Sequence, residues 1–249
     1  MAKQKLSIGG LARYALKSML GRFGPLLGLC APALLIVIAS AVIGRVMSPS
    51  EDMEGFGAFT VAISIGSLLA SVAMIPAFTG WHRLLILGDL RRENGRAFGW
   101  DRREWQYLFR MLQIWLAMFV AQLIVGAIVK VAGAQEAAIV GSLVVLAIYL
   151  AIWGSLGLGL PAAALSDPRS MGELAKAADG NVRRIAAALA IVWVAVTVVG
   201  MALGALLTVV GAALESPYLI LVFGVMFYNL GVVASVGVLS RAYDILLRP

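Results

Sequence analysis

Apolar residues fall in six blocks, 24–46, 56–80, 111–129, 137–165, 185–214 and 217–240, and apart from Arg45 at the very end of the first, none of the six contains Asp, Glu, Lys, Arg or His. At roughly 1.5 Å of rise per residue, even the shortest block comes close to the roughly 30 Å hydrocarbon thickness of a bilayer. The blocks are continuous and rich in Leu, Ala and Val. Membrane-spanning strands would instead be about ten residues long with alternating polarity. The pattern predicts an all-α, polytopic membrane protein of six transmembrane helices, forming one domain over residues 1–249.

Between the blocks, apolar residues return at helical spacing. Ile8, Leu11, Ala15, Met19 and Phe23 share one stripe, with Arg13 and Lys17 on another face. Trp105, Leu108, Phe109 and Leu112 repeat the rule, and so do Met171, Leu174, Ala178, Val182 and Ile185. Asp101 with Glu104 and Ser170 with Glu173 have capping-box spacing, the first as a variant with Asp in place of Ser or Thr. The chain therefore reads as three helical hairpins, each preceded by a cytoplasmic amphipathic helix. Residues 81–104 form the longest cytoplasmic loop, with a short interfacial helix after Trp81 that stops near Gly88, and Trp81, Trp100 and Trp105 read as a headgroup-level belt.

Charge fixes the expected orientation. Of the twenty Lys and Arg, all except Arg45 and Lys130 lie in the N-terminal segment, the second and fourth loops or the C-terminus, whereas Glu51, Asp52, Glu54, Glu136 and Glu215 lie on the other side. The positive-inside rule then places both termini in the cytoplasm, in a bacterial inner membrane. This bias also accounts for the net charge of +7. The basic residues are dispersed and mixed with acids, which argues against a nucleic-acid partner. Arg91, Arg92, Arg96, Arg102 and Arg103 are candidate contacts for anionic lipid headgroups. The preference for Arg over Lys and the abundance of Ala, Gly, Val and Leu suggest a high-GC genome. The first apolar block is too long, and lacks a small-residue cleavage site, for a cleaved signal peptide.

Ser7-Ile8-Gly9-Gly10, the amphipathic stretch after it, and Arg22-Phe23-Gly24-Pro25-Leu26-Leu27 together resemble the opening of the membrane domain attached to some bacterial glycerophosphodiester phosphodiesterases, and of its stand-alone relatives. The resemblance implies a six-helix membrane domain working near lipid. It brings no catalytic residues, because chemistry in that family belongs to a separate soluble domain.

The sequence offers no catalytic, metal or cofactor-binding constellation. A rhomboid-type protease needs a Gly-x-Ser-Gly serine and a histidine base on separate spans; here Trp153-Gly154-Ser155-Leu156-Gly157 misplaces the glycines and span six has no histidine. The one histidine, His82, reads as a loop residue, and the one cysteine, Cys30, as a packed apolar side chain. Apart from Arg45 at the edge of the first, no charged residue lies inside the six blocks, which weighs against ion-coupled transport. Four neutral polar residues lie near mid-membrane: Gln122, Asn229, Tyr149 and Thr197. Gln122 and Asn229 share a depth and are expected to pair across the bundle. Gly24 with Gly28, Gly66 with Ala70, Ser67 with Ser71, and Gly200 with Gly204 mark expected close helix approaches. The functional expectation is a non-catalytic protein that handles or senses lipid, or the membrane subunit of a larger assembly, with membrane lipids and a second membrane protein or a second copy as partners. The alternative is a channel or transporter for a small neutral or amphiphilic solute.

Overall fold

Helix ends fall where capping chemistry puts them. Ser7 Oγ accepts from Gly10 N–H and opens the first helix, and Ser170 with Glu173 closes a full capping box. Asp101 and Glu104 also cap reciprocally: Asp101 Oδ1 accepts from Arg103 N–H and Glu104 Oε2 accepts from Asp101 N–H. The computed structural model describes residues 4–47, 53–88, 100–132, 135–213 and 218–248. Regular structure among the described residues is helical throughout: α1 (Ile8–Gly21), α2 (Phe23–Met47), α3 (Met53–Leu87), α4 (Arg102–Ala132), α5 (Gln135–Leu156), α6 (Gly159–Ala164), α7 (Met171–Ala178), α8 (Val182–Ala213) and α9 (Tyr218–Leu247). Six windows in these helices are long and apolar enough to cross a membrane, which marks a multi-pass membrane protein.

The bundle is organised around α9. In the window Leu230–Leu247, 61% of residues are buried, against 11% in Arg102–Val131 of α4, so α9 is central and α4 peripheral. Helix α1 docks on α8 and α9, α2 packs along α3, α4 along α5, and α8 along α9. Apolar side chains such as Leu68, Leu116, Leu123 and Met201 cover the outside, as expected where the solvent is lipid.

Three helix boundaries differ from the sequence reading. Helix α3 runs unbroken to Leu87, so the residues after Trp81 continue the span rather than forming a separate helix. Between Trp81 and Gly88 there is no glycine or proline, and Gly88, at φ +75°, ends the helix as its N–H bonds the Leu84 carbonyl. The amphipathic stretch before the third block likewise belongs to one helix, α4. Its Trp105, Phe109 and Leu112 face outward, while Glu104, Tyr107, Met111 and Ile114 are buried. In a membrane the apolar face need not be the inner one, because the inner face is where polar groups find partners. The fourth block breaks after Leu156. Pro161 offers no N–H to the Gly157 carbonyl, which bonds Leu160 N–H instead and resets the chain into the fully buried α6.

Helix α6 ends in a Schellman turn, with Asp167 N–H on the Ala162 carbonyl and Ser166 N–H on the Ala163 carbonyl. The left-handed position is held by Ser166, at φ 57°, rather than by glycine. Arg103 Nε donates to its hydroxyl at 3.0 Å and ties the turn to α4.

Arginines at one end of the bundle act as carbonyl caps. Arg22, Tyr14 and Arg248 donate to the Leu84, Leu85 and Ile86 carbonyls at 2.8, 3.0 and 2.9 Å, satisfying the last turn of α3. Arg110 reaches the Gly159 and Arg169 carbonyls at 2.7 and 3.0 Å. Arg184 holds the Leu6 carbonyl, and Asn181 holds Leu6 N–H and the Gln4 carbonyl. Arg22, Arg110 and Arg184, each placed just before an apolar block in the sequence, thus each bond a carbonyl from another segment.

Candidate functional site

Four helices present stripes to a common space. Met111, Trp115 and Met118 of α4, Leu146, Tyr149, Leu150 and Trp153 of α5, Leu189, Ala190, Trp193 and Val194 of α8, and Val232, Ser235, Val236 and Leu239 of α9 enclose a cavity of about 430 Å³. Phe78, Tyr107 and Leu160 complete its lining. This volume lies within the usual range of small-molecule sites. Among the described residues the lining is apolar and aromatic, with hydroxyls at Tyr107, Tyr149 and Ser235. Trp115, Leu146 and Val194 on its rim are 41%, 54% and 62% exposed, so the space communicates with the outer surface of the bundle.

Small residues hold its walls together. A Cβ on Gly231 would meet the Trp193 ring at 2.7 Å, and one on Gly154 would meet the Val182 carbonyl at 2.6 Å. Both glycines let bulky neighbours close on a backbone, which fixes Trp193 against α9 and α5 against the start of α8.

Behind Tyr107 lies a buried polar chain. His82, Ser240 and Tyr107 are almost wholly inaccessible. Ser240 Oγ stands 2.8 Å from the Val236 carbonyl, to which it can only donate, and 2.7 Å from His82 Nδ1. With its one proton committed, the hydroxyl accepts from Nδ1–H. Nε2 is then the lone-pair nitrogen and faces the Tyr107 hydroxyl at 3.4 Å. This assigns a neutral histidine of the Nδ1–H tautomer, with all three side chains partnered. A serine nucleophile would require the opposite sense, with histidine accepting the serine proton. Thr79 and Glu104 form a second buried pair at 2.8 Å. His82 is thus a helix-interior residue of α3, not a loop residue, and Trp81, only 1% exposed, belongs to the core rather than to a belt. Trp100 and Trp105 are exposed and meet edge to face.

The other sequence candidates are distributed as follows. Tyr149 donates to Gln122 Oε1 at 2.6 Å, so the described partner of Gln122 is on α5. The Asn229 side chain, and with it the expected Gln122–Asn229 pairing, lies outside the described residues. Thr197 is exposed on α8 outside the cavity lining. Arg102 is exposed, and Arg103 is turned to Ser166. Arg91, Arg92 and Arg96 lie outside the described residues. Of the mid-membrane polar candidates whose side chains are described, Tyr149 lines the cavity and Gln122 and Thr197 do not.

Beneath the cavity, the segment after α6 is clamped by charge. Arg169 binds the Asp167 carboxylate through Nε and Nη2, with distances of 2.6 to 2.9 Å, and Tyr243 donates its hydroxyl to the same group. Burial alone would raise the Asp167 pKa; the hydrogen bonds from Arg169 and Tyr243 outweigh it and bring the value down to about 2. A depressed folded-state pKa contributes stability that is complete above the unfolded value and is lost as pH falls through the folded one. Asp167→Asn is therefore expected to destabilise the protein by roughly 2 kcal/mol at neutral pH. Thermal unfolding in detergent should show that deficit shrinking as pH drops below about 4.

Comparison with protein-family models, curated proteins and solved structures finds no match. Function must therefore be read from this chain's own geometry.

Proposed function

We propose that this chain is a non-catalytic bacterial inner-membrane protein that handles or senses lipid, with the aromatic cavity as the seat of an apolar chain. The supporting observation is the lining: indoles and methionines on α4, α5 and α8 beside aliphatic residues of α9, open at the rim to the membrane, with three hydroxyls and no charged side chain among the described residues. Such a surface suits an acyl or isoprenoid chain, which needs contact area and no hydrogen bonds. In this reading the three hairpins stand with the arginine-rich end and both termini in the cytoplasm, where the amphipathic helices meet lipid headgroups. The resemblance of the opening motif to phosphodiesterase membrane domains points the same way, to work near lipid without chemistry of its own. Recruitment of a second membrane protein, or of a second copy, is compatible with the exposed faces of α4 and α5.

Photolabelling tests this. With the full chain in nanodiscs containing a diazirine-tagged phospholipid, label is expected on peptides carrying Met111, Met118 and Trp153. Ala190→Trp, which places an indole inside the cavity, is expected to reduce that label at least fivefold while the melting temperature stays within a few degrees. Label confined to outward residues such as Leu68 and Leu123 would refute the reading. The alternative, passage of a small neutral or amphiphilic solute, draws on the cavity hydroxyls and on the Tyr149–Gln122 bond; solute efflux from proteoliposomes that is abolished by Gln122→Leu would favour it instead.

A further inference from the structure

We propose that the groove between α1 and α8 holds one anionic phospholipid from the surrounding bilayer, its phosphate between Arg13 and Lys17 and its chains over Leu16, Leu20 and Ile191. The groove is an open space of about 750 Å³ that shares no lining residue with the aromatic cavity. The inference deepens the lipid reading by naming a headgroup class.

Charge is the first reason. Arg13 and Lys17 are four residues apart on α1, so their side chains neighbour one another, and like charges at that spacing repel. Nothing described relieves them. Neither has a hydrogen bond or ion pair with any described residue, and α1 contains no acidic residue. Asp244 of α9, the helix on which α1 docks, is already paired with Arg241 at 2.8 Å. The contrast with Arg22, Arg110 and Arg184 is informative, since those three hold backbone carbonyls. An exposed, uncompensated cation pair beside a groove calls for an anion.

The floor specifies what kind. Leu20 is 71% exposed, and Ile191, in the membrane-crossing window of α8, is 47% exposed. Gly9 and Gly21 line the groove with no atom near where their side chains would be, which keeps it open at both ends of α1. Polar and apolar recognition thus adjoin within about one helical turn, matching the junction of a phosphate headgroup with its acyl chains. A free phosphate would find the two cations but leave the apolar floor without a partner.

A crosslinker tests the assignment. The full chain carrying p-benzoylphenylalanine in place of Leu20 is reconstituted in nanodiscs of equal phosphatidylglycerol and phosphatidylcholine, and lipid adducts are counted by mass spectrometry. Phosphatidylglycerol adducts should exceed phosphatidylcholine adducts by about fivefold or more, since each cation near an anionic surface contributes on the order of fivefold. Combining R13Q with K17Q should bring the ratio to about one without abolishing crosslinking, whereas combining K176Q with R183Q should leave it unchanged. Equal adducts in the parent protein, or a preference that survives R13Q with K17Q, would overturn the proposal. Displacement of the lipid adducts by inorganic phosphate would assign the cations to a soluble phosphate compound and overturn the lipid assignment. Cavity labelling at Met111 and Met118, measured in the same nanodiscs, reports on the broader lipid reading independently.

Discussion

Replacing Arg110 with leucine is expected to destabilise the protein by about 3 to 5 kcal/mol, among the largest effects of any single substitution outside the apolar core. The guanidinium is half-buried and spans two segments, bonding the Gly159 carbonyl at 2.7 Å and the Arg169 carbonyl at 3.0 Å. Leucine leaves both acceptors without that donor, and each buried unsatisfied group costs roughly 1 to 3 kcal/mol. Arg110→Lys should recover only part of the loss, because one ammonium cannot reproduce a planar fork reaching two carbonyls. Thermal unfolding in detergent gives the ranking: parent, then lysine, then leucine. The loss should extend to the cavity, because α6, which Arg110 holds at Gly159, supplies Leu160 to the lining. Lipid photolabel at Met111 and Met118 is therefore expected to fall in Arg110→Leu even where the helices persist by circular dichroism. A leucine variant as stable as the parent would mean that the carbonyls find other donors and that the cap is dispensable.

The architecture was legible in the sequence because lipid imposes it: uncharged blocks of bilayer length have few alternatives to being spanning helices. Caps were legible for a similar reason, since Ser170 with Glu173 is a local chemical pattern. What the arginines do was only half legible. Their clustering on alternate segments is a topological signal, but Arg22, Arg110 and Arg184 also bond carbonyls from 49 to 178 residues away in sequence. A spacing rule cannot register partners at that separation.

The cavity left no readable trace. Trp115, Trp153 and Trp193 sit in blocks that are apolar on every side, so nothing in the alternation of polar and apolar residues tells which face of a helix turns inward. Glycine pairs fail for the same reason. Gly24 and Gly28 have the spacing of a close-packing motif, yet nothing lies within 4 Å of where their side chains would be. Gly66 does stand against Ser40 of α2, while the approaches that shape the cavity fall on Gly154 and Gly231, outside any pair that spacing singled out. His82 shows the same limit in reverse. A lone histidine after an apolar block reads as a loop residue, and only the burial of Ser240 and Tyr107 around it makes the polar chain evident.

Gly237→Leu is expected to detach α1 from the bundle. A Cβ at Gly237 would lie 2.9 Å from Ala15 Cα and 3.0 Å from Ala15 Cβ, and a helix backbone cannot yield as a flexible side chain would. Overpacking of this kind usually costs about 1 to 3 kcal/mol for added methylenes. Gly237→Ala should fall in that range, with leucine beyond it, because the longer chain must enter the space of α1 itself. Ala15→Gly removes only the Cβ contact, so the double variant with Gly237→Ala should regain part of the loss, and a double-mutant cycle would return a coupling of the same sign. Two readouts separate local detachment from global unfolding. Trypsin should cut at Arg13 or Lys17 in Gly237→Leu but not in the parent, while cleavage within α8 stays absent. The anionic-lipid preference of the α1 groove should disappear with the detachment, since the cations would no longer stand beside Ile191, whereas photolabel in the cavity should persist because its walls come from α4, α5, α8 and α9. Loss of both signals together would instead make the docking of α1 a condition for the whole bundle, and the two lipid sites would then be one cooperative unit.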